Sequence, residues 1–201
     1  MFAQVIQGKA KDAEALRAGI ERWRTELAPG ADGWLGSTAG VTDDGEFFAL
    51  ARFESEEAAR RNSDRPEQGE WWNEFSQHLD GEATFTDSTD TDTFAGGGSD
   101  DAGFVQVIQY HTTDPQRLRE FAHETEAAMQ RMRPDVIGGC TVYHGDGDVI
   151  DVLYFTSEAE AREAEAREPD AEAQSMMSEM QQLMSGDVRY LDLRSPWLAS
   201  P

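Results

Sequence analysis

Four polar residues in predicted strands are the first candidates for binding or chemistry. Gln4 and Gln106 lie in the middle of two similar strands, and Arg52 and Tyr154 are equivalent residues of two others. An amide can orient a ligand, and a guanidinium or phenol can bind or act as an acid or base in an otherwise apolar pocket. The alternative is that these side chains bond between sheets or point outward. Arg52 and Tyr154 are therefore candidate catalytic residues, and the two glutamines are candidate ligand-binding residues.

Three further candidates come from differences between the two halves of the chain. Asp151 and Tyr110 stand where the first half has alanine and glycine, so one half could retain a pocket that the other has filled. Trp72, next to Trp71, could stack on a planar ligand. The helical spacing of these tryptophans with Phe75 is more typical of a packed core.

Recognised cofactor and metal motifs are missing from the sequence. The four histidines have no second ligand at a metal-binding spacing, and the single cysteine, Cys140, can form neither an intramolecular disulfide nor a thiolate cluster. A glycine run at 96–98 lies in an acidic segment, where a phosphate would be repelled. We expect no metal and no cofactor.

The candidate positions belong to a sequence that is repeated. Residues 2–7 (FAQVIQ) return as residues 104–109 (FVQVIQ), an offset of 102 residues. The same offset relates six further identical pairs, which are Asp12 and Asp114, Leu16 and Leu118, Gly36 and Gly138, Phe53 and Phe155, Ser55 and Ser157, and Arg60 and Arg162. We predict one domain of about a hundred residues, duplicated and fused.

Charge limits the partners of the chain. Forty acidic residues against 17 basic ones give a net charge of −23. Nucleic acid and anionic membrane surfaces would be repelled, so we exclude both as partners. The negative charge could attract a cationic partner. Alternatively, it could keep the surface strongly solvated in a salt-adapted organism. No signal segment or membrane span is predicted, and we expect a cytoplasmic protein.

Each half predicts the same order of elements. In the first, a strand at 2–7 precedes a helix with the stripe Leu16, Ile20, Trp23 and Leu27, and strands at 34–41 and 47–53 form a hairpin. A helix capped by Ser55 breaks at Pro66 and resumes, and residues 83–85 form the last strand.

The second half repeats this order. Its first helix has the stripe Leu118, Ala122, Thr125, Met129 and Met132, and Pro169 breaks the second helix. The last strand is predicted near residues 188–193. We assign 1–86 to the first repeat, 87–103 to a flexible acidic linker, 104–194 to the second repeat and 195–201 to a tail.

The order strand, helix, strand, strand, helix, strand predicts an α+β ferredoxin-like repeat, a four-stranded antiparallel sheet with two helices on one face. The strand FVQVIQ (104–109) and the hairpin ends FESEEA (53–58) and FTSEAE (155–160) resemble the dimeric α/β-barrel superfamily, in particular antibiotic-biosynthesis-monooxygenase domains. This resemblance covers both halves. It implies that the two repeats form the barrel within one chain, as a monomer.

The resemblance also implies a function. Cofactor-independent monooxygenases of this superfamily oxidise planar aromatic, polyketide-like phenols with an asparagine, a tryptophan and a basic or tyrosine side chain. Here the first strand offers glutamine instead of asparagine. The expected function is a small-molecule enzyme of this type. The alternative is a non-catalytic ligand-binding, structural or stress-related domain.

Overall fold

The computed structural model describes all 201 residues, which form two compact units. Unit 1 contains residues 1–91 and 195–201, and unit 2 contains residues 92–194. No helix in either unit is long and apolar enough to cross a membrane.

Unit 1 has the predicted βαββαβ order. Its strands are β1 (Phe2–Lys9), β2 (Trp34–Val41), β3 (Glu46–Phe53) and β4 (Thr84–Ser88), and its helices are α1 (Ala13–Arg22), α2 (Glu56–Ser63) and α3 (Pro66–Phe75). A π-helical turn, Trp23–Leu27, continues α1. Ser55 caps α2 by accepting a hydrogen bond from the Ala58 amide, and the helix breaks after Ser63, as the sequence predicts. The next helix, α3, begins at Pro66 itself.

The second copy of this order follows a short strand, β5 (Thr91–Phe94). Its strands are β6 (Phe104–Thr112), β7 (Val136–His144), β8 (Asp148–Phe155) and β9 (Met184–Leu193). Its helices are α4 (Pro115–Met132), α5 (Glu158–Glu165) and α6 (Ala171–Leu183), and β10 (Trp197–Ala199) ends the chain. The helix break near Pro169 is confirmed.

Each unit contains a five-stranded sheet. The strand orders are β10-β2-β3-β1-β4 and β5-β7-β8-β6-β9, so the outer strands β10 and β5 come from segments outside the two repeats. The flexible linker predicted at 87–103 therefore needs correction, because β5 and the end of β4 lie within it. A Cβ on Gly138 would lie 2.0 Å from the carbonyl oxygen of Gly97, which leaves room there only for glycine.

Apolar residues of α1 and α3 pack on one face of the first sheet. The predicted stripe is confirmed, with Leu16, Trp23 and Leu27 buried in one core with Phe47 and Phe75. In α4 the stripe differs from the prediction. Phe121 is buried beside Leu118 while Ala122 is exposed, because the apolar face advances by three residues at this turn instead of four.

The predicted tail is anchored to the first sheet. Trp197 in β10 pairs with Ala39 in β2, and its ring centroid lies 6.4 Å from that of Phe47. We expect Trp197→Ala to lower the free energy of unfolding by about 2 kcal/mol, less than a fully buried tryptophan because Trp197 is half-buried. Urea unfolding measures this, with the exposed Ser195→Ala as control. An equal free energy of unfolding for the two variants would mean that Trp197 does not stabilise the protein.

Candidate ligand-binding site

The two faces of each sheet divide the predicted site residues. Alternate residues of a strand point to opposite faces. Phe2 and Ile6 of β1 pack in the core beneath the helices, so Gln4, two residues from each, lies on the helix-covered face. Ile108 of β6 packs in the corresponding core of unit 2, so Gln106 lies on the helix-covered face there. Phe53 and Ala51 share the helix-covered face of β3, so Arg52 lies on the opposite face.

The second sheet repeats this division. Val149 and Phe155 pack on the helix-covered face of β8, where Asp151 also lies, and Tyr154 points to the other face. The glutamines therefore do not share a sheet face with Arg52 or Tyr154. The structure brings Tyr110 and Asp151 together, and it separates both from Tyr154.

Asp151 is the centre of a hydrogen-bonded cluster in unit 2. The Tyr110 hydroxyl donates to Oδ2 of Asp151 at 2.9 Å, and the Thr141 hydroxyl donates to Oδ1 at 2.6 Å. The three residues come from neighbouring strands, since Asp151 of β8 is directly opposite Ile108 of β6 and Thr141 of β7. The sheet thus fixes a carboxyl between two hydroxyl groups.

The environment of this carboxyl changes its acidity. Burial raises the pKa of Asp151 above the ordinary value, and the hydrogen bonds from Thr141 and Tyr110 lower the pKa in part. Burial also raises the pKa of Tyr110, with the nearby charge of Asp151 acting in the same direction. A carboxylate that is poorly hydrated and easily protonated is suited to act as a general base.

Three more side chains extend the cluster. The Arg119 guanidinium carbon lies 4.3 Å from the centroid of the Tyr143 ring, and Arg119 Nε lies 3.3 Å from Oδ2 of Asp92. Burial raises the pKa of Tyr143, and the charges of Asp151 and Asp92 raise it further. Asp92 belongs to β5, so the segment predicted as linker supplies a charge to the cluster.

Only the second repeat carries this cluster. At the offset of 102 residues, the first repeat has Gly8 for Tyr110, Ala39 for Thr141, Val41 for Tyr143 and Ala49 for Asp151. Sequence reasoning identified Tyr110 and Asp151 but missed Thr141, Tyr143, Arg119 and Asp92. Comparing the two repeats could have identified Thr141 and Tyr143, because each replaces a small apolar residue of the first repeat.

The helices over the two sheets differ as well. In unit 1, Trp71 and Phe75 of α3 are buried, with ring centroids 4.7 Å apart. In unit 2, Met180 of α6 and Leu183 are half-buried beside Tyr110 and Tyr143, and α6 has no fully buried residue. Aromatic rings therefore fill the space between the sheet and α3 in the first repeat, whereas flexible side chains of α6 cover the sheet in the second.

The other predicted residues have different surroundings. Gln4 donates to Asp87 at 2.9 Å, and Gln106 donates to Asp192 at 3.0 Å, where Arg162 also binds. The buried Nε of Arg52 has no hydrogen-bond partner, and Tyr154 is fully buried.

Trp72 belongs to the aromatic packing of unit 1. Its ring centroid lies 5.7 Å from that of Phe75 and 5.2 Å from that of Phe85, and it packs against the core of the unit. A groove of about 260 Å³ lies near this packing, between α1 and α3, and is lined in part by Trp71, Arg22 and His78. No group of three or more histidine, cysteine or acidic side chains could hold a metal ion.

The raised pKa of Asp151 predicts how stability depends on pH. Above the ordinary aspartate pKa of about 3.9, the folded chain binds more protons at this site than the unfolded chain, so the free energy of unfolding falls as pH rises. Asp151→Asn removes this titration. We expect its stability relative to wild type to be lowest below about pH 4 and to increase with pH through the raised pKa.

Urea unfolding across this pH range measures the difference. The control is Asp148→Asn, which removes an exposed carboxylate from the same strand. A stability difference between Asp151→Asn and wild type that does not change with pH would contradict the raised pKa.

Comparisons with known proteins agree with this architecture. A Lactobacillus acidophilus protein provisionally assigned as a monooxygenase has a TM-score of 0.75 and 12% identity, with 99% of this chain and 96% of that chain covered. A similarly assigned Fusobacterium nucleatum protein has a TM-score of 0.77 and 9% identity, with 99% and 94% covered. An anthrone oxidase-like protein has a TM-score of 0.66 and 12% identity, with 99% and 92% covered.

These likenesses define the fold class. No protein-family profile matches the sequence, and no curated protein sequence matches it. At identities of 9–12%, the structural matches show the fold alone. The chain has a duplicated ferredoxin-like fold, as its sequence predicted.

Proposed function

We propose that the second repeat binds a planar phenolic compound between its sheet and helix α6, and oxidises it with molecular oxygen without a cofactor. The observation that carries this proposal is the Asp151 carboxyl, held by Tyr110 and Thr141 on the helix-covered face of the sheet. The names of the structural neighbours, two provisional monooxygenases and an anthrone oxidase-like protein, are consistent with it.

Asp151 is the proposed base. It removes the acidic proton of the phenol or of its keto tautomer, which leaves an electron-rich anion. A raised pKa makes the Asp151 carboxylate a stronger proton acceptor, which favours the step. Tyr110 and Thr141 keep the carboxyl in place.

Oxygen completes the reaction. The anion gives one electron to molecular oxygen, the two radicals combine into a peroxide at carbon, and loss of water leaves a carbonyl group. For anthrone the sum is anthrone plus oxygen giving anthraquinone plus water. Met180 and Leu183 would cover the rings of the substrate, because their half-buried side chains lie beside the tyrosines of the cluster.

One observation favours a second function, a domain that binds ligands without catalysis or only stabilises the fold. Both oxygens of Asp151 already have a hydroxyl partner within the protein, so the cluster is satisfied without a substrate. In that case Asp151, Tyr110 and Thr141 would serve mainly to fix the packing of three strands.

Oxygen consumption separates the two functions. Purified protein is mixed with anthrone, 1-naphthol or a naphthoquinol, and oxygen uptake and products are measured against a protein-free control. For anthrone, enzymatic oxidation predicts one molecule of oxygen consumed per anthraquinone formed, at a rate proportional to protein concentration. A thermal shift by one of these compounds with no oxygen uptake would support binding without catalysis, and neither effect would reject the phenol site.

A further inference from the structure

Helix α6 is held over the cluster by few apolar contacts. None of its residues is fully buried, and Met177 is 54% exposed. Met180 and Leu183 are half-buried against Tyr110 and Tyr143. The helix therefore contributes little burial of its own, and such elements have low local stability.

Two ion pairs connect α6 with α4, one near each end. Arg131 Nη2 lies 3.1 Å from Oε1 of Glu172, and Arg117 pairs with Glu179. Arg117 also pairs with Glu124 of its own helix at 3.1 Å. All four side chains that join the helices are at least one-third exposed, and pairs of this kind are weak and screened by salt.

The first repeat holds the equivalent helix differently. The Trp71 indole donates a hydrogen bond to the carbonyl oxygen of Gly19 in α1 at 2.8 Å, and its ring is buried beside Phe75. Counted from the first residue of each helix, Pro66 in α3 and Ala171 in α6, the corresponding positions of α6 hold Met176 and Met180. Because methionine has no N–H donor, this link between the helices is absent in the second repeat.

The two ends of α6 are held, one by a side-chain cap and the other by strand pairing. The helix begins after Pro169, where Asp170 caps it by accepting from the Ala173 amide. At its other end the helix runs directly into β9, where Met184 and Ser185 pair with Thr112 and His111 of β6. Gly186, with a φ of +71°, follows where the pairing of these strands shifts register. Because α6 has no fully buried residue, it can open locally while the sheet stays folded.

We propose that α6 is a lid which opens and closes over the Tyr110, Tyr143 and Asp151 cluster and controls access to it. The lid regulates the site of the proposed function, and in that sense it rests on that function. Its movement is a property of the free protein and is tested without a substrate.

The test removes both ion pairs with Glu172→Gln and Glu179→Gln in one chain. Each exposed pair contributes little, so together their loss should increase the open population roughly three- to tenfold. The control is Glu163→Gln, which removes an exposed ion pair between α5 and Arg167, two residues after the end of that helix. Both variants keep the cluster residues.

Two measurements on the full chain report opening. Tetranitromethane modifies accessible tyrosines, and mass spectrometry follows each site. Tyr110 and Tyr143 should be nitrated roughly three- to tenfold faster in the double variant, while Tyr190, which is 58% exposed, reacts equally fast in all proteins. Amide hydrogen exchange should accelerate in residues 171–183 and not in 115–132.

The outcomes are distinct. Unchanged nitration of Tyr110 and Tyr143, or faster exchange throughout unit 2, overturns the lid. If both local effects occur and none of the phenols is bound or oxidised, the lid stands and the proposed function fails.

Discussion

Asp151→Asn is expected to lower kcat for oxygen-dependent oxidation of anthrone by about 10²–10⁴-fold, the usual contribution of a general base. Asparagine can still bond with the Tyr110 and Thr141 hydroxyls, but it cannot accept the substrate proton. Binding of the phenol should therefore change much less than the rate. Oxygen uptake gives kcat, and calorimetric titration with 1-naphthol gives the dissociation constant.

The matched control is Asp148→Asn, in the same strand but paired with His111 at the surface. It should retain the wild-type rate. An Asp151→Asn rate within a factor of about three of wild type would remove Asp151 from the chemistry, since even a weak general base contributes more. Equal loss in both variants would point to a general effect of charge.

Phe75→Ala is expected to lower the free energy of unfolding by about 3–5 kcal/mol, whereas Met180→Ala should lower it by about 1 kcal/mol or less. Phe75 is 3% exposed and stacks on Trp71, so its removal leaves a cavity in the first repeat. Met180 is half-buried on a helix with no buried residue, and its surroundings can adjust. Urea unfolding followed by circular dichroism measures both.

This pair of variants compares equivalent positions of the two repeats. A larger loss for Met180→Ala than for Phe75→Ala would mean that the second repeat is as tightly filled as the first. No ligand could then enter beside Tyr110.

Most of the fold could be predicted from local signals. The repeat and the prolines at 66 and 169 located the units and the helix breaks. The strands β5 and β10 could not be predicted, because they have only four and three residues, too few to show an alternating pattern. They are strands because β7 and β2 offer them unpaired edges, and tertiary pairing outweighs weak local preference.

The site was predicted only in part, because the sheet face of each residue depends on the register between paired strands. Directly opposed residues share a sheet face, and Gln4 lies opposite Ala51 while Arg52 lies opposite Ala3. Gln4 and Arg52 therefore point to opposite faces, which no single-strand pattern reveals. Asp151 and Tyr110 stood out because each replaces a small residue of the first repeat.

The most direct experiment determines which of the two repeats binds the ligand. Isotope-labelled protein is titrated with 1-naphthol, and the amide resonances are followed by NMR. Binding in the second repeat predicts one saturable site per chain, with changes concentrated in residues 108–112, 139–151 and 171–183. Changes centred on residues 6–10 and 37–49 of the first repeat, or no saturable change anywhere, would contradict it.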